Sequence, residues 1–317
     1  MVKYTLKRIL SVIPHLLIVT IILFVMISLL PGTAADLLLG DNADVEMIAQ
    51  VEERLGLDQP IYVQYGKWLL NTLKGDLGVS YFTGLPVVDR IAERLPVTIE
   101  LIILSMTVAI IIGVPIGILC AVYRNKPLDY FFSTVSMIEV SMPSFWTGML
   151  LIILFSVTLG WLPASGFVPF LEDPMQNLKS MILPVIATGM AMSATIIRQM
   201  RSAMLDVLGQ DYIMTGKAKG MGRLRLYFKH GLRNALIPVV TAITSQISNM
   251  IGGSVVVESV YLIPGMGKSL IDAIFQRDYP VVMGEALVIA VLIVLLNTAV
   301  DLLYSVIDPR VSREIKK

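Results

Sequence analysis

Long apolar runs separated by shorter polar stretches make up most of this chain. The first run covers residues 9–30, and the others cover approximately residues 97–122, 130–159, 181–200, 236–260 and 281–306. A helix needs about 20 apolar residues to cross a hydrocarbon core about 30 Å thick. The pattern therefore predicts an all-α membrane protein with six transmembrane helices.

The first apolar run follows Lys3, Lys7 and Arg8, as the core of a secretory signal would. The apolar core of a signal covers only about 7–15 residues, and the run at residues 9–30 is longer than that. We therefore predict an uncleaved first transmembrane helix, with cleavage near residues 33–35 as the alternative.

Residues 31–96 form a polar insert in which acidic side chains outnumber basic ones. Asp44 is expected to cap one helix, which Gly56 ends, and Pro60 is expected to open a second helix. No internal repeat or flexible linker separates this insert from the apolar runs. We therefore predict a helical insert that elaborates a single membrane domain covering residues 1–317.

Most of the 25 lysines and arginines lie on one side of the six predicted helices. The cytoplasmic loops of membrane proteins carry the excess of these residues. Both termini, including the tail at residues 307–317, are therefore predicted to be cytoplasmic. The loop at residues 201–236 is predicted to lie on the same side, within a five-helix core at residues 97–306. The segments predicted to lie outside are residues 31–96, 160–180 and 261–280.

The composition excludes several classes of function. With 56% hydrophobic and 15% charged residues and a mean hydropathy of +0.77, the chain is too apolar for a soluble domain of this length. The net charge of +1 indicates no nucleic-acid partner. Cys120 is the only cysteine, and His15 and His230 lack metal-ligand spacing, so neither a disulfide nor a metal site is expected.

No residue pattern typical of catalysis is visible, and we predict that the chain is not an enzyme. The sequence contains neither H-E-x-x-H nor G-x-S-x-G. The string at residues 265–269 resembles the end of a phosphate-binding loop, but Leu262 stands where that motif requires glycine. We interpret this string as a tight external turn beside Pro264, and we expect this chain to bind no cofactor.

Polar residues inside the predicted helices mark two candidate path-lining features. A charge at the centre of a bilayer costs at least about 2.5–3.5 kcal/mol, so Glu139 should face protein or water. Its carboxylate would be either a hydrogen-bonded structural group or part of a proton or ion relay. A second feature on the fifth helix either lines an aqueous path or bonds to neighbouring helices. Its residues, which share one helical face, are Thr241, Ser245, Asn249 and Gly252.

Residues 211–238 form a basic, amphipathic island between two apolar runs. Asp211 is expected to cap a helix that Gly220 ends, and a second helix is expected over residues 223–234. Such a surface is typical either of contact with anionic lipid or of docking to a partner protein, and the residues alone leave both open. The apolar stripe of the second helix is expected to contain Leu224, Tyr227, Phe228 and Leu232.

Short motifs occur in the island and along the rest of the chain. Tyr212, Ala218, Lys219 and Gly220 fit the pattern Y-x-x-x-A-x-A-K-G, and residues 233–238 fit R-N-A-L-x-P. Further strings are LGLDQPIYVQY from Leu55, GDLGVS from Gly75, RLPVTIEL from Arg94, MPSFWTG from Met142, GWLPASG from Gly160, RDYP from Arg277 and DPR from Asp308. In these motifs the chain resembles the permease subunits of bacterial ABC importers of the peptide and nickel class.

The resemblance implies a function and a set of partners. The chain would be a multi-pass protein of the bacterial cytoplasmic membrane, embedded in lipid, that pairs with a second, homologous permease around a translocation path. Two cytoplasmic ATPase subunits would hold ATP and Mg²⁺, and a solute-binding protein would contact the acidic insert from outside. Di- or oligopeptides are the expected substrates, with nickel or another small solute as the alternative. From the residues alone, a self-contained secondary transporter is the competing class.

The resemblance also identifies the first helix of the island, between the fourth and fifth transmembrane helices, as a coupling helix that contacts an ATPase. Gly216 stands where the family usually has alanine, and Met214 where arginine is common. Because glycine weakens a helix by about 0.5–1 kcal/mol relative to alanine, we expect a looser helix or a closer partner here. The residues assigned to coupling are Asp211, Tyr212, Thr215, Gly216, Lys217, Ala218, Lys219, Gly220, Arg233, Asn234 and Pro238.

Overall fold

The computed structural model describes residues 2–29 and 44–307, and most of them belong to helices. Within these ranges no β-strand is formed, and only an isolated bridge joins Val79 and Pro86. The prediction of an all-α protein is therefore confirmed. The helices are α1 (Val2–Ser28), α2 (Val45–Leu55), α3 (Ile61–Leu73), α4 (Val87–Val122), α5 (Pro127–Ser141), α6 (Ser144–Leu151), α7 (Pro174–Leu208), α8 (Asp211–Ala218), α9 (Arg223–Arg225), α10 (Arg233–Val260), α11 (Met266–Phe275) and α12 (Tyr279–Ile307).

Four of the described helices are long and apolar enough to cross a membrane, and α5 with α6 makes a fifth span if that bent pair is counted as one. Helix α1 has a shorter apolar stretch, Val12–Ser28. The count of six therefore stays a prediction. The alternative cleavage site, residue 30 of the first apolar run, residues 31–43 of the insert and the tail beyond Ile307 lie outside the described residues. The four spans are Val87–Val122, Pro174–Leu208, Leu226–Val260 and Tyr279–Thr298.

Helix α4 begins at Val87, earlier than the predicted start at residue 97. The polar residues of this stretch indicated an insert, but Val87 and Ile91 lie one helical turn apart and are buried in the same apolar cluster. Burying one face of these turns favours the continued helix.

The predicted single helix at residues 130–159 is wrong, because the chain bends by 104° between α5 and α6. Pro143 has no N–H to donate, and Met142 before it adopts an extended conformation with φ −91° and ψ 130°. Both effects end α5 at Ser141. Residues Ile152–Thr158 then continue α6 as a π-helix.

The predicted tight turn at residues 265–269 is also wrong, because Gly265 precedes helix α11. Met266 and Ala273 are buried and Leu270 between them is partly buried, a helical spacing that the polar string had hidden. Lys268 forms an ion pair with Asp272 on the same helix. The string is therefore a helical turn and not a phosphate-binding loop.

The described residues form two compact units. One contains residues up to 97 together with 264–302, and the other contains 98–263 with 303–307. The prediction of a single membrane domain stays a prediction. 

In the first unit, α11 and α12 pack against the start of α4 around an apolar cluster that includes Val87, Met266 and Val281. Polar groups are bonded beside this cluster. Arg90 donates from Nε to Ser269 Oγ at 2.8 Å, and Ser269 donates to Glu285 Oε1 at 2.6 Å. 

The polar insert joins the same unit through Asp278. This carboxylate accepts a hydrogen bond from the Ser80 hydroxyl and another from the Tyr81 backbone N–H at 3.0 Å. Burial, reinforced by the Asp278 charge, raises the pKa of Tyr81. Helices α2 and α3 occur as expected, and Gly56 ends α2 with φ 69°, although Asp44 makes no side-chain cap hydrogen bond.

In the second unit, α7 is the central helix and is the most deeply buried of the candidate spans. Helices α4 and α7 approach so closely that a Cβ on Gly117 would lie 2.6 Å from the Met200 Cβ atom. Small residues permit such contacts between membrane helices. Tyr261 donates its hydroxyl to the Gly148 carbonyl at 3.0 Å, which ties the end of α10 to α6, and burial raises the pKa of this tyrosine.

Candidate functional site

Helix α8 (Asp211–Ala218) is a short helix that follows α7 after a turn at Gly209 and Gln210. Its N-cap is Gln210, so the prediction that Asp211 caps it is wrong. Asp211 instead lies in the first turn, where a carboxylate favours the positive end of the helix dipole. Gly220 has φ 74°, a conformation that glycine adopts readily, and it directs the chain away from the helix as predicted.

Two residues hold α8 against the protein. Ile213 is fully buried and Gly216 is buried one turn later. The other predicted coupling residues of this segment are exposed, so α8 and the turn after it present an open surface. The exposed residues are Asp211, Tyr212, Thr215, Lys217, Ala218, Lys219 and Gly220.

Gly216 permits a close contact between the two parts of the island. A Cβ at this position would lie 2.8 Å from the Leu226 Cδ1 atom, and Leu226 is only 1% exposed. Such a distance requires the leucine to move. The glycine that departs from the family pattern is therefore explained by packing within this chain.

The predicted second helix at residues 223–234 is wrong in its bounds. Helix α9 covers only Arg223–Arg225, and the π-helix Leu226–Leu232 then leads directly into α10. Leu226 and Gly231 are buried, whereas Leu224 and Phe228 of the predicted stripe are exposed. The wider π-helical turn changes which side chains face the protein.

Hydrogen bonds join α8 to the beginning of α10. Asn234 donates from Nδ2 to the Tyr212 hydroxyl oxygen at 2.8 Å, and the Tyr212 hydroxyl lies 3.5 Å from the His230 carbonyl oxygen. The Met221 N–H donates to the Gly216 carbonyl at 3.1 Å. The structure thus brings together Tyr212 and Asn234, two predicted coupling residues that are distant in sequence, while the neighbouring Arg233 stays exposed.

An ion pair between α5 and α7 was missed in the sequence. Arg201 donates to both oxygens of Asp129, with Nε–Oδ1 at 2.6 Å and Nη2–Oδ2 at 2.8 Å. Asp129 is 1% exposed and also accepts from the Asn125 N–H and the Ser133 hydroxyl. The available signal was an acid at the start of one apolar run and an arginine at the end of another.

The polar stripe of α10 lies on an exposed face of the chain. Thr241, Ser245, Asn249 and Gly252 are all exposed, whereas Ser254 is buried elsewhere on the helix. Pro238, within the first turns of α10, is half-buried. The shared face was predicted from the spacing, and its role as a path lining stays a prediction.

Glu139 lies on a different helix, α5, and is 9% exposed. Its Oε1 atom is buried without a hydrogen-bond partner. Among the residues that the structure describes, no group of three or more His, Cys, Asp or Glu side chains is arranged to hold a metal ion.

Two family profiles match the chain. The binding-protein-dependent transport system inner membrane component matches residues 113–313. The N-terminal part of the membrane component of such systems matches residues 1–102.

Curated relatives match nearly the whole chain. A putative peptide transport system permease protein of Brucella suis biovar 1 is 44% identical over 98% of this chain and 99% of its own length. The glutathione transport system permease protein GsiC of Escherichia coli O6:H1 is 43% identical over the same shares.

Solved structures share the fold at low sequence identity. An inward-facing MetNI methionine ABC transporter matches with a TM-score of 0.58 and 20% identity over 69% of this chain and 96% of that chain. A structure of an amino acid ABC transporter with histidines matches with a TM-score of 0.52 and 16% identity over 68% and 93%.

Proposed function

This chain belongs to the family of binding-protein-dependent transport system inner membrane components, and we propose that it forms half of the translocation path of a peptide importer. It is a multi-pass inner-membrane protein and the permease component of an ABC importer. The names of relatives at 44% and 43% identity, for peptide and glutathione transport, support di- or oligopeptides as its substrates.

The proposed arrangement has six membrane-spanning helices with both termini in the cytoplasm. The four or five candidate spans and the apolar stretch of α1 are compatible with that number. The excess of Lys and Arg on one side supports the orientation. In this arrangement the island at residues 211–238 faces the cytoplasm.

The observation that carries the coupling proposal is the exposed surface of α8. Only Ile213 and Gly216 are buried, so the remaining side chains of the helix are free to contact a second protein. The hydrogen bond between Asn234 and Tyr212 links this surface to the start of α10. A push on α8 would therefore reach a long apolar helix and bias it between inward-open and outward-open forms.

The proposed partners follow from this role. A second, homologous permease completes the path, and two ATPase subunits dock on the coupling helices and hold ATP and Mg²⁺. A solute-binding protein delivers the peptide from outside. The chain itself performs no hydrolysis in this scheme.

Cysteine labelling of the purified complex tests the coupling surface. In a Cys120→Ala background, Thr215→Cys should react with a maleimide freely without the ATPases and slowly with them. Leu171→Cys, which replaces a residue that is 96% exposed, is the control and should react equally in both preparations. Equal labelling at Thr215→Cys would instead favour contact of the island with lipid.

Uptake by reconstituted complexes tests the substrate class. Proteoliposomes that contain both permeases and the ATPases should take up a labelled tripeptide only with ATP and binding protein. Uptake of nickel without peptide uptake would contradict the proposed substrate. Uptake by this chain alone would support the secondary transporter.

A further inference from the structure

The break between α5 and α6 contains two buried polar atoms without partners. Glu139 Oε1 and Thr147 Oγ1 make no hydrogen bond, and these residues are 9% and 7% exposed. Both residues adjoin the break through their backbones. The Met142 N–H donates to the Glu139 carbonyl at 3.2 Å, and the Thr147 N–H donates to the Pro143 carbonyl at 3.3 Å.

A buried carboxylate oxygen without a partner is unfavourable, because it has lost water and gained no opposite charge or hydrogen bond. The same helix shows the usual solution at its other end, where Asp129 accepts hydrogen bonds from Arg201, Asn125 and Ser133. In membrane-spanning segments, an acidic group that is not neutralised by the protein is typically a site for a substrate or ion. Glu139 therefore has the character of a binding group.

The helix ends at the break have complementary charge. Helix α5 ends at Ser141, so its terminal carbonyl groups add partial negative charge on the side of Glu139. Helix α6 begins at Ser144 and continues as a π-helix to Thr158, so its first N–H groups carry partial positive charge. Broken membrane helices of this kind bind charged substrate groups in transporters.

We propose that this break is a substrate-binding site for the ends of a peptide. Glu139 pairs with the protonated amino group, and the N-terminus of α6, with the Thr147 hydroxyl in its first turn, faces the peptide carboxylate. The inference rests on the proposed function, since it assumes that the transported molecule is a peptide. It adds that this permease itself selects for a free amino terminus.

The chemistry favours an ammonium group over a metal ion. A primary ammonium has three N–H donors, which the Glu139 carboxylate and the terminal backbone carbonyls of α5 can accept. Calcium takes six to eight oxygen ligands, and nickel is suited to imidazole nitrogen, which neither Glu139 nor Thr147 supplies. 

Glu139→Gln in the complete, reconstituted importer is the first test. Glutamine preserves the size of the side chain and removes the charge. We expect the uptake of a free-amino tripeptide to fall about tenfold while the melting temperature of the purified complex stays the same or rises. If Glu139 is instead a structural carboxylate with a partner in the assembled complex, Glu139→Gln should lower the melting temperature or leave uptake unchanged. Either result would overturn the proposal.

Two variants complete this test. Glu139→Asp keeps the charge and should retain more uptake than Glu139→Gln. Glu100→Gln makes the same chemical change at a half-buried acid of α4 and should leave uptake unchanged. If Glu139→Asp loses as much uptake as Glu139→Gln, the carboxylate charge is not what matters and the site is rejected.

A comparison of two substrates identifies the group that Glu139 binds. A tripeptide and its N-acetylated form are chosen so that titration shows both to bind the solute-binding protein, and both are supplied at saturation. The wild-type complex should transport the free-amino form faster, and Glu139→Gln should reduce that preference. An unchanged preference, or an equal loss for both peptides, would overturn the proposal. Failure of the wild type to transport either peptide would instead refute the proposed function.

Discussion

Two interruptions of helical structure in the second unit differ in how their polar groups are satisfied. Around Gly220, the chain leaves α8 and returns to α10, and Tyr212 and Asn234 are hydrogen-bonded to each other. Around Pro143, the chain bends between α5 and α6, and Glu139 Oε1 has no partner. At the first interruption these polar side chains find their hydrogen-bond partners within this chain, whereas at the second Glu139 Oε1 does not.

The difference indicates what each interruption contacts. A surface whose internal bonds are already made, with exposed side chains on one helix, is suited to a large partner that docks without entering. A pair of buried oxygen atoms without donors is suited to a small polar group that can reach them. The contrast therefore separates a surface for force transmission from a site for substrate.

The largest expected loss of stability comes from Asp129→Asn. This substitution removes a charge that is paired with Arg201, on the same helix as Glu139, whose Oε1 atom has no partner. Arg201 would lose an ionic partner, and hydrogen bonds to charged groups contribute about 1.5–3 kcal/mol. We expect a clearly lower melting temperature of the purified complex. Lys268→Gln breaks a partly exposed ion pair within α11, which contributes only about 0.2–0.5 kcal/mol, and should lower the melting temperature far less. If Asp129→Asn and Glu139→Gln shift the melting temperature equally, the contrast between the two acids fails.

Gly220→Trp tests whether the end of α8 transmits force. A left-handed conformation costs about 1–2 kcal/mol for residues other than glycine, so the turn at φ 74° should rearrange. We expect the complex to assemble but peptide uptake per ATP hydrolysed to fall about tenfold, as a loss of 1.4 kcal/mol in coupling would give. Gly222→Trp adds the same bulk two residues later, where a Cβ meets open space, and should preserve more coupling. Normal coupling in Gly220→Trp would contradict the role of this turn.

Gly216→Val tests whether α8 must pack closely on Leu226. Extra bulk in a packed interior typically costs about 1–3 kcal/mol, and we expect the lower end because the contacted atom is the tip of a leucine. The ATPase subunits should copurify less efficiently. Gly216→Ala is the control and should lose less, since leucine can move aside for one methyl group. Equal copurification of both variants with the wild type would show that the contact is not needed for docking.

The smallest effect is expected from Tyr212→Phe, which removes the hydroxyl that accepts a hydrogen bond from Asn234. An exposed hydrogen bond contributes about 0.5 kcal/mol, so the melting temperature should barely change. Transport per ATP should fall measurably, because the bond links α8 to α10. Tyr62→Phe, at an exposed tyrosine of α3, is the matched control. If both variants transport the same amount of peptide per ATP, the hydrogen bond between Tyr212 and Asn234 has no role in coupling.

Part of the candidate site followed from local patterns. The glycine at position 220 and the polar residues after Asp211 predicted a short exposed helix, because these features act within one or two turns. The bend at Pro143 could also have been predicted, since proline and the residue before it both disfavour a continuous helix. The prediction of a turn at residues 265–269 was wrong because the glycines of this string disfavour a helix locally. Burial of Met266 and Ala273 stabilises the helix, and this burial arises only when α11 packs against its neighbours.

The sequence by itself determined the membrane character, most of the long apolar helices and the C-terminal ends of α2 and α8. These depend on hydropathy and on the backbone freedom of single residues, which are properties of local sequence. Only the tertiary structure decided that Tyr212 reaches Asn234, that Gly216 admits Leu226, and that Asp129 is satisfied while Glu139 is not. Such facts depend on which helices meet and at what distance, and hydrophobic periodicity carries no information on that pairing.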